Sequence, residues 1–437
     1  MKRLVRLTVG GLWLVAVVAG SAGSASGAAA TPGQYIVVLK PGVSRAAAVQ
    51  QARALGGEVF MQYGHALNGY AARLPEAAVA QIERNPHVAF VTPDGEVSAA
   101  AACNPAAAQC LPAGIDRIDA DRSSARSGDG RGSVNVNVAV LDTGIDVSNP
   151  DLNVVGGKDC SAGKGFGVDP DGHGTHVAGT IAALDNRIGV VGVAPGARLW
   201  AGRVLNQNGL GAFSRIICGI DFVTSTRTNV DPSDDIVVAN MSLKGPGLDD
   251  GDCGNTKKDA VHVAICASVA AGVTYVVAAG NSGVDFQDGI PAAYDEVLTV
   301  TAVTDFDGRP GGLSSQNCLP DFDFRDDTIA FFSDVATLSA DQAHTIAAPG
   351  LCVLSTVPGG YDLISGTSQA APHVAGTIVL CIASGSCAGL GPPQIMRKII
   401  GDAVTYNTAN PDYGFAGDPL HPISGKYYGY LIRAGLY

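Results

Sequence analysis

From residue 134 to residue 303, short Val-rich apolar runs alternate with stretches patterned like helices, and this alternation narrows the fold more than any other feature. Strands are expected at 134–141, 197–205, 236–241, 274–278 and 297–303, and helices at 176–184, 214–224 and 258–271. Strands that are apolar along their whole length must be covered on both faces, and crossover helices between parallel strands supply that cover. The predicted fold class is therefore α/β, a doubly wound, mostly parallel sheet. In such a sheet ligands gather outside the carboxyl ends of the strands.

Four polar residues stand at those ends or at the helix starts facing them. VNVNVAVLD-TG closes a strand on Asp142, and DGHGTHVAG puts His173 at the mouth of a helix. VTYVVAAGN ends in Asn281, and SGTSQAAPHVAG puts Ser368 where a loop becomes a helix. Pro372 is expected within the first turn of that helix, where no internal N–H donor is needed.

A serine hydroxyl is a weak nucleophile until a base takes its proton, and an imidazole can do so near neutral pH. The imidazole needs a carboxylate to fix its tautomer and balance its charge. The oxyanion that follows needs N–H donors set in advance, which an Asn amide and a helix N-terminus provide. Asp142, His173, Ser368 and Asn281 match these four needs.

Together DTGID, GHGTHVAGT, AAGN and GTSQAAPHVAG resemble the signature segments of the subtilisin-like serine proteases, in that family's order and across most of residues 109–400. The resemblance implies a serine endopeptidase acting on polypeptides, with an Asp-His-Ser triad and Asn281 in the oxyanion hole. The five residues HVAGT occur at 176–180 and 373–377. They are expected to begin two different helices, with His176 and His373 as hydrogen-bonded structural residues. Further contacts implied by the resemblance are an edge strand at Gly209, Leu210 and Gly211, an opposing strand at Ser242, Leu243 and Lys244, and a pocket floor at Gly289. Lys244 departs from the family, where Gly is common. Its stem could narrow the pocket, its charge could favour acidic substrates, or it could point into solvent. LDNRIGVVGVAP resembles the family's calcium loop, implying Ca²⁺ held by the Asn186 side chain and the Leu184, Ile188 and Val190 carbonyls, with Asp151 and Gln109 completing the set. The acidic runs at 249–252 and 321–327 read as solvated loops, with a second ion as the alternative.

Residues 1–30 read as an export signal: Lys2, Arg3 and Arg6, then an apolar stretch too short to span a bilayer, then small residues. Residues 31–102 hold a small α+β unit with strands at 35–40, 70–74 and 88–92 and helices at 45–55 and 76–84. This unit resembles the family's inhibitory propeptide, a ferredoxin-like domain that acts as intramolecular inhibitor and folding aid. A small-residue linker at 98–109 suits cleavage, and the first cut is expected between about Val97 and Asn104. Residues 103–437 form the catalytic domain. The ten cysteines all lie at or beyond Cys103, and an even count in an exported chain favours disulfides, with local loops at Cys103–Cys110 and Cys381–Cys387. Residues 1–102 carry 8 Lys and Arg against 5 Asp and Glu, whereas the rest carries 20 against 35. So acidic a body argues against nucleic acid or an anionic membrane as partner. The reading is a secreted, extracellular monomer of broad specificity that matures itself. A catalytically silent binding protein on the same scaffold is the alternative.

Gln369 is a second departure, since Met usually follows the nucleophile in this family. A thioether there would oxidise to a bulkier, polar sulfoxide beside the serine. Peroxide is therefore expected to inactivate this protein slowly, measured as residual peptidase activity over time. Rapid loss with Ser368 chemically intact would contradict this.

Overall fold

The computed structural model describes residues 30–64, 67–95, 105, 108–161, 165–314, 318 and 324–437. These fall into two compact units divided between residues 101 and 102. Residues 1–29 of the proposed signal segment and most of the linker lie outside the described residues.

The smaller unit runs β1 (Ala30–Leu39), α1 (Arg45–Ala54), β2 (Glu58–Tyr63), β3 (Gly69–Arg73), α2 (Glu76–Glu83) and β4 (Val88–Gly95). Its antiparallel sheet has the order β2-β3-β1-β4. Val37, Leu39, Tyr70 and Ala72 on the strands bury against Val49, Ala52 and Ile82 on the helices. Both helices fall where the sequence places them, but the unit has four strands rather than three. Strand β2, mostly exposed, lacks the apolar alternation that would reveal it.

The larger unit opens with α3 (Ala113–Arg117), β5 (Asn137–Asp142), β6 (Val154–Asp159), α4 (His173–Ala182), β7 (Arg198–Arg203), α5 (Phe213–Thr228) and β8 (Ile236–Met241). It continues through β9 (Gly245–Pro246), α6 (Ala260–Ala270), β10 (Thr274–Ala278), β11 (Gly289–Ile290), β12 (Leu298–Thr304) and β13 (Thr328–Ile329). The last elements are α7 (Ser339–Gln342), β14 (Thr345–Pro349), β15 (Val353–Val357), β16 (Gly360–Ile364), α8 (Thr367–Ala383) and α9 (Pro392–Ala409). The central sheet has the order β13-β12-β10-β8-β5-β7-β6, with β14 beside β12, and only β13 runs antiparallel.

Alternate residues of β5 serve opposite faces. Val138 and Val140 join the core under α4, α8 and α9, while Ala139 and Leu141 join the one under α5 and α6. The two HVAGT segments lie in α4 and α8, and their glycines permit close approach: a Cβ on Gly376 would come within 2.6 Å of Val193 Cβ, and one on Gly179 would overlap Thr356 Oγ1. Among the described residues no helix is long and apolar enough to cross a membrane.

Four disulfides are described, Cys160–Cys218, Cys253–Cys266, Cys318–Cys352 and Cys381–Cys387. The last is the local loop expected from spacing. Cys110 is also disulfide-bonded, while Cys103, its expected partner, lies outside the described residues.

Residues 413–437 pack into the body of the unit. Tyr413, Phe415, Tyr428 and Leu431 cluster with Val303, Val335 and Ala347. Arg117, fully buried, pairs with Asp305 and Asp327 and donates to the carbonyls of Tyr413 and Gly414. Arg433 pairs with Asp119, and Ser124 N–H donates to the Tyr437 carbonyl.

The first acidic run serves its own loop, but the second is not solvated as expected: Asp326 and Asp327 are buried, and Asp327 pairs with Arg117. Asp250 accepts backbone N–H groups from Asp252, Gly254 and Lys257. Asp326 accepts those of Phe306 and Ser314, and Asp327 those of Gly311 and Gly312.

Candidate active site

Strands β10, β8 and β5 are neighbours in the sheet and run parallel. Asp142 therefore ends one strand beside Ser242, Leu243 and Lys244, which follow the next, and Asn281, just beyond the third. Helices α4 and α8 begin at the same rim and contribute His173 and Ser368. His173, Asn281 and Ser368 line one cleft of about 700 Å³.

Asp142 is fully buried. Its Oδ1 accepts from Thr143 N–H at 2.7 Å and meets His173 Nδ1 at 2.8 Å. His173 is the first residue of α4, and the preceding Gly172 has a left-handed backbone (φ 95°) that favours glycine. Asp169 holds this turn: it accepts Gly172 N–H at 2.9 Å and Thr175 N–H at 2.8 Å, and Thr143 Oγ1 donates to it at 2.8 Å. Sequence reasoning missed Asp169, because it lies three residues before the N-cap Gly172 and outside the position where a capping carboxylate is sought.

Ser368 is the second residue of α8, a 17-residue helix whose N-terminus carries free N–H groups and positive partial charge. Pro372 lies in the second turn, not the first as the sequence suggested. It therefore removes the N–H that would bond the Ser368 carbonyl. Ser242 Oγ takes that place, donating to the Ser368 carbonyl at 2.7 Å, while Ser368 Oγ faces the Ser242 carbonyl at 3.3 Å. No hydrogen bond joins Ser368 Oγ to His173 among the described residues. Catalytic contacts of this kind commonly close only around substrate.

The Asn281 amide has a fixed orientation. Its Oδ1 accepts from Thr367 N–H at 2.8 Å and Thr367 Oγ1 at 2.9 Å, which leaves Nδ2 as the outward donor. Thr367, which nothing in the sequence singled out, thus positions the amide from the residue before Ser368.

Burial disfavours the His173 imidazolium, but the charge and hydrogen bond of Asp142, with Asp171 and Asp169 beyond, outweigh it. The ring titrates above its ordinary 6.5. The two HVAGT histidines go the other way, because burial drives both down, His176 to about 3 and His373 to about 4. His176 Nε2 contacts the Val353 and Asp362 carbonyls and His373 Nδ1 the Gln369 carbonyl, so both are structural as expected.

Of the implied substrate contacts, Gly209, Leu210, Gly211, Ser242, Leu243 and Lys244 line the cleft. Gly289 is not among the cleft-lining residues; the Lys244 stem lies over it, so a Cβ there would overlap Lys244 Cε. The expected floor is covered, and Lys244 does not point into solvent.

The implied calcium ligands also gather. Asp151, fully buried, accepts from Asn186 Nδ2 at 3.0 Å and Val190 N–H at 3.0 Å. The Gln109 amide meets the Leu184 carbonyl at 2.6 Å and the Val190 carbonyl at 3.4 Å. Ile188 lies in the same loop, with its N–H on Asn186 Oδ1 at 3.0 Å. Among the described residues no cationic side chain pairs with Asp151, and burial pushes its carboxyl up to about 6. A buried carboxylate with no cationic partner fits a hard divalent cation; here it meets N–H and O–H donors of Asn186, Val190 and Tyr361, and the Asn186 and Gln109 amides would turn their oxygens toward the ion.

These features define a serine peptidase on a doubly wound parallel sheet. Residues 133–416 match the sequence model of the subtilase family, and residues 34–100 match that of the peptidase inhibitor I9 family. Subtilisin E of Bacillus subtilis (strain 168) is 37% identical over 366 residues, covering 82% of each chain. Subtilisin DY of Bacillus licheniformis is 39% identical over 279 residues, 63% of this chain and 85% of the relative. An alkaline protease of Shouchella clausii is 36% identical over 300 residues, 68% of this chain and 65% of the relative. The chain belongs to the subtilase family and is a serine endopeptidase, and the inhibitor domain ahead of its peptidase domain implies a proenzyme that processes itself.

Only a neutral imidazole can accept the serine proton. With His173 raised by Asp142, kcat/KM is expected to climb with pH along a limb centred above 6.5, and Asp142→Asn should move that limb down as well as lowering the rate. A pH profile of kcat/KM with its midpoint at or below the free-imidazole value would contradict the coupling.

Proposed function

We propose that the protein is a secreted endopeptidase whose residues 1–30 are an export signal, 31–102 an inhibitory propeptide and 103–437 the mature catalytic domain. It works through an acyl-enzyme. Ser368 Oγ attacks the scissile carbonyl carbon while His173 Nε2 takes the hydroxyl proton. Asp142 holds the ring by its Nδ1 and balances the charge that appears on it. The carbonyl oxygen, now negative, is stabilised by Asn281 Nδ2 and the Ser368 N–H. The C–N bond then breaks as His173 returns the proton to the leaving amine, and water, deprotonated by the same ring, releases the acid product. The observation that carries this reading is the His173–Asp142 contact at 2.8 Å in the cleft shared by Ser368 and Asn281.

Substrate backbone pairing between the 209–211 and 242–244 segments supports broad sequence tolerance along the cleft, since main-chain hydrogen bonds are blind to side chains. The working form is a monomer acting on extracellular polypeptides, with neither nucleic acid nor membrane as partner. A phosphonylating serine probe should label Ser368, and Ser368→Ala should leave the 31–102 segment attached, read by mass spectrometry of the purified protein. Propeptide removal in that variant would contradict self-processing.

Calcium would be held by Gln109, Asp151, Asn186 and the Leu184, Ile188 and Val190 carbonyls, in a structural role that ties the 109 segment to the 184–190 loop. The sign follows from Asp151, whose folded value of about 6 lies above the ordinary 3.8. Without the ion, the buried carboxylate destabilises the fold as pH rises from 3.8 through 6. Chelation should therefore lower the melting temperature more at pH 8 than at pH 5, measured by calorimetry. An unchanged melting temperature at pH 8 would remove the site.

A further inference from the structure

Lys244 lies three residues beyond the end of β8 and directly precedes β9, which pairs with β11 over two residues. Its stem crosses Gly280, which lines the cleft, and Gly289, which it covers: a Cβ on Gly280 would come within 2.7 Å of Lys244 Cδ, and one on Gly289 would overlap Cε. The ammonium reaches Asp334 Oδ2 in an ion pair. Asp334 is fully buried, and its Oδ1 is already committed to the N–H groups of Ser282 at 2.8 Å and Val284 at 3.1 Å. The carboxylate is thus fixed from behind, and the lysine is drawn across the pocket instead of extending into water. Its side chain keeps 28% exposure, on the cleft side.

We propose that Lys244, held by Asp334, determines specificity in the pocket for the residue before the cut bond, and that this pocket takes a carboxylate-bearing side chain, glutamate above all. This rests on the peptidase reading of the cleft and narrows it at one position. The ammonium has three N–H donors, and Asp334 is its one protein acceptor among the described contacts. An aromatic or aliphatic side chain entering the pocket would displace water from the remaining donors and give nothing back. It would also find the depth above Gly289 already filled by the lysine stem. A basic side chain would bring two cations together. A glutamate carboxylate supplies the missing acceptors and the opposite charge, in charge-assisted hydrogen bonds stronger than those of a neutral amide. Asp334 offsets part of the lysine charge, but it lies behind the ammonium with Oδ1 held by two N–H groups, and the remaining ammonium donors still lack acceptors that a carboxylate supplies.

The test uses the mature enzyme at pH 8 with tetrapeptide p-nitroanilides identical except for a final Glu, Gln, Ala, Phe or Lys. The wild type should cleave the Glu substrate with kcat/KM at least about tenfold above Gln, its uncharged isostere, with Phe and Lys lower still. Lys244→Met, which keeps the stem and removes the charge, should bring the Glu/Gln ratio close to one; a Lys244→Met/Asp334→Ser double variant avoids stranding the buried carboxylate. Wild-type cleavage of Gln, Ala, Phe or Lys as fast as Glu would overturn the specificity proposal while leaving the peptidase reading intact. No cleavage of any substrate, together with no phosphonate labelling of Ser368, would overturn both. The wild-type profile alone decides the matter if the variants fail to fold.

Discussion

The parallel pairing of β8 between β5 and β10 is the constraint on which the site depends. Backbone hydrogen bonding fixes Val138 opposite Val238 and Val276 opposite Asn240, so the three strands reach the same rim in register. Asp142, the 242–244 segment and Asn281 arrive side by side because the strands do, before any of their own contacts form. A slip of one residue in β5 would turn Asp142 to the other face and take its carboxylate away from His173.

Side-chain contacts then refine what the sheet has placed. Asp142, Asp169, Asp151 and Asp334 are all buried carboxylates, and each accepts backbone N–H groups that anchor it. A buried carboxylate is costly unless its oxygens are engaged. Ser242 follows the same rule, since its hydroxyl occupies the Ser368 carbonyl that Pro372 leaves open in α8. A proline four residues beyond Ser368 thus explains a serine just past a strand end 126 positions earlier in the chain.

Much of this was legible from residue order. Strands β8 and β10 have the ranges read from the sequence, because each is a short apolar run bounded by polar residues. The four site residues were readable since each follows a strand or opens a helix. Strand β6 was not, because Gly156 and Gly157 interrupt it; they are there to let the Trp200 ring and Phe166 lie against the backbone. The β15–β16 hairpin and α9 were also missed, the first beginning beside a cysteine and a proline-bounded turn, the second opening on two prolines. The roles of Thr367, Asp169 and Asp334 come from tertiary hydrogen bonds, on which a one-dimensional pattern carries little information. Lys244 shows the division well: its identity marked it as unusual, but only the packing over Gly280 and Gly289 showed that it crosses the pocket and does not point into solvent.

The clasp around Arg117 has a consequence for how the larger unit comes together. Its partners at Tyr413 and Gly414 lie 296 and 297 residues further along, and the Arg433–Asp119 pair spans 314. Contacts closing loops of that size are entropically expensive and form late. A growing polypeptide emerging from synthesis cannot complete this core until residues 413–433 have been made. Through that wait Arg117 has Asp305 and Asp327 but lacks the two carbonyls that complete its shell, so a buried guanidinium stays half-satisfied until the last turn of the core closes over it.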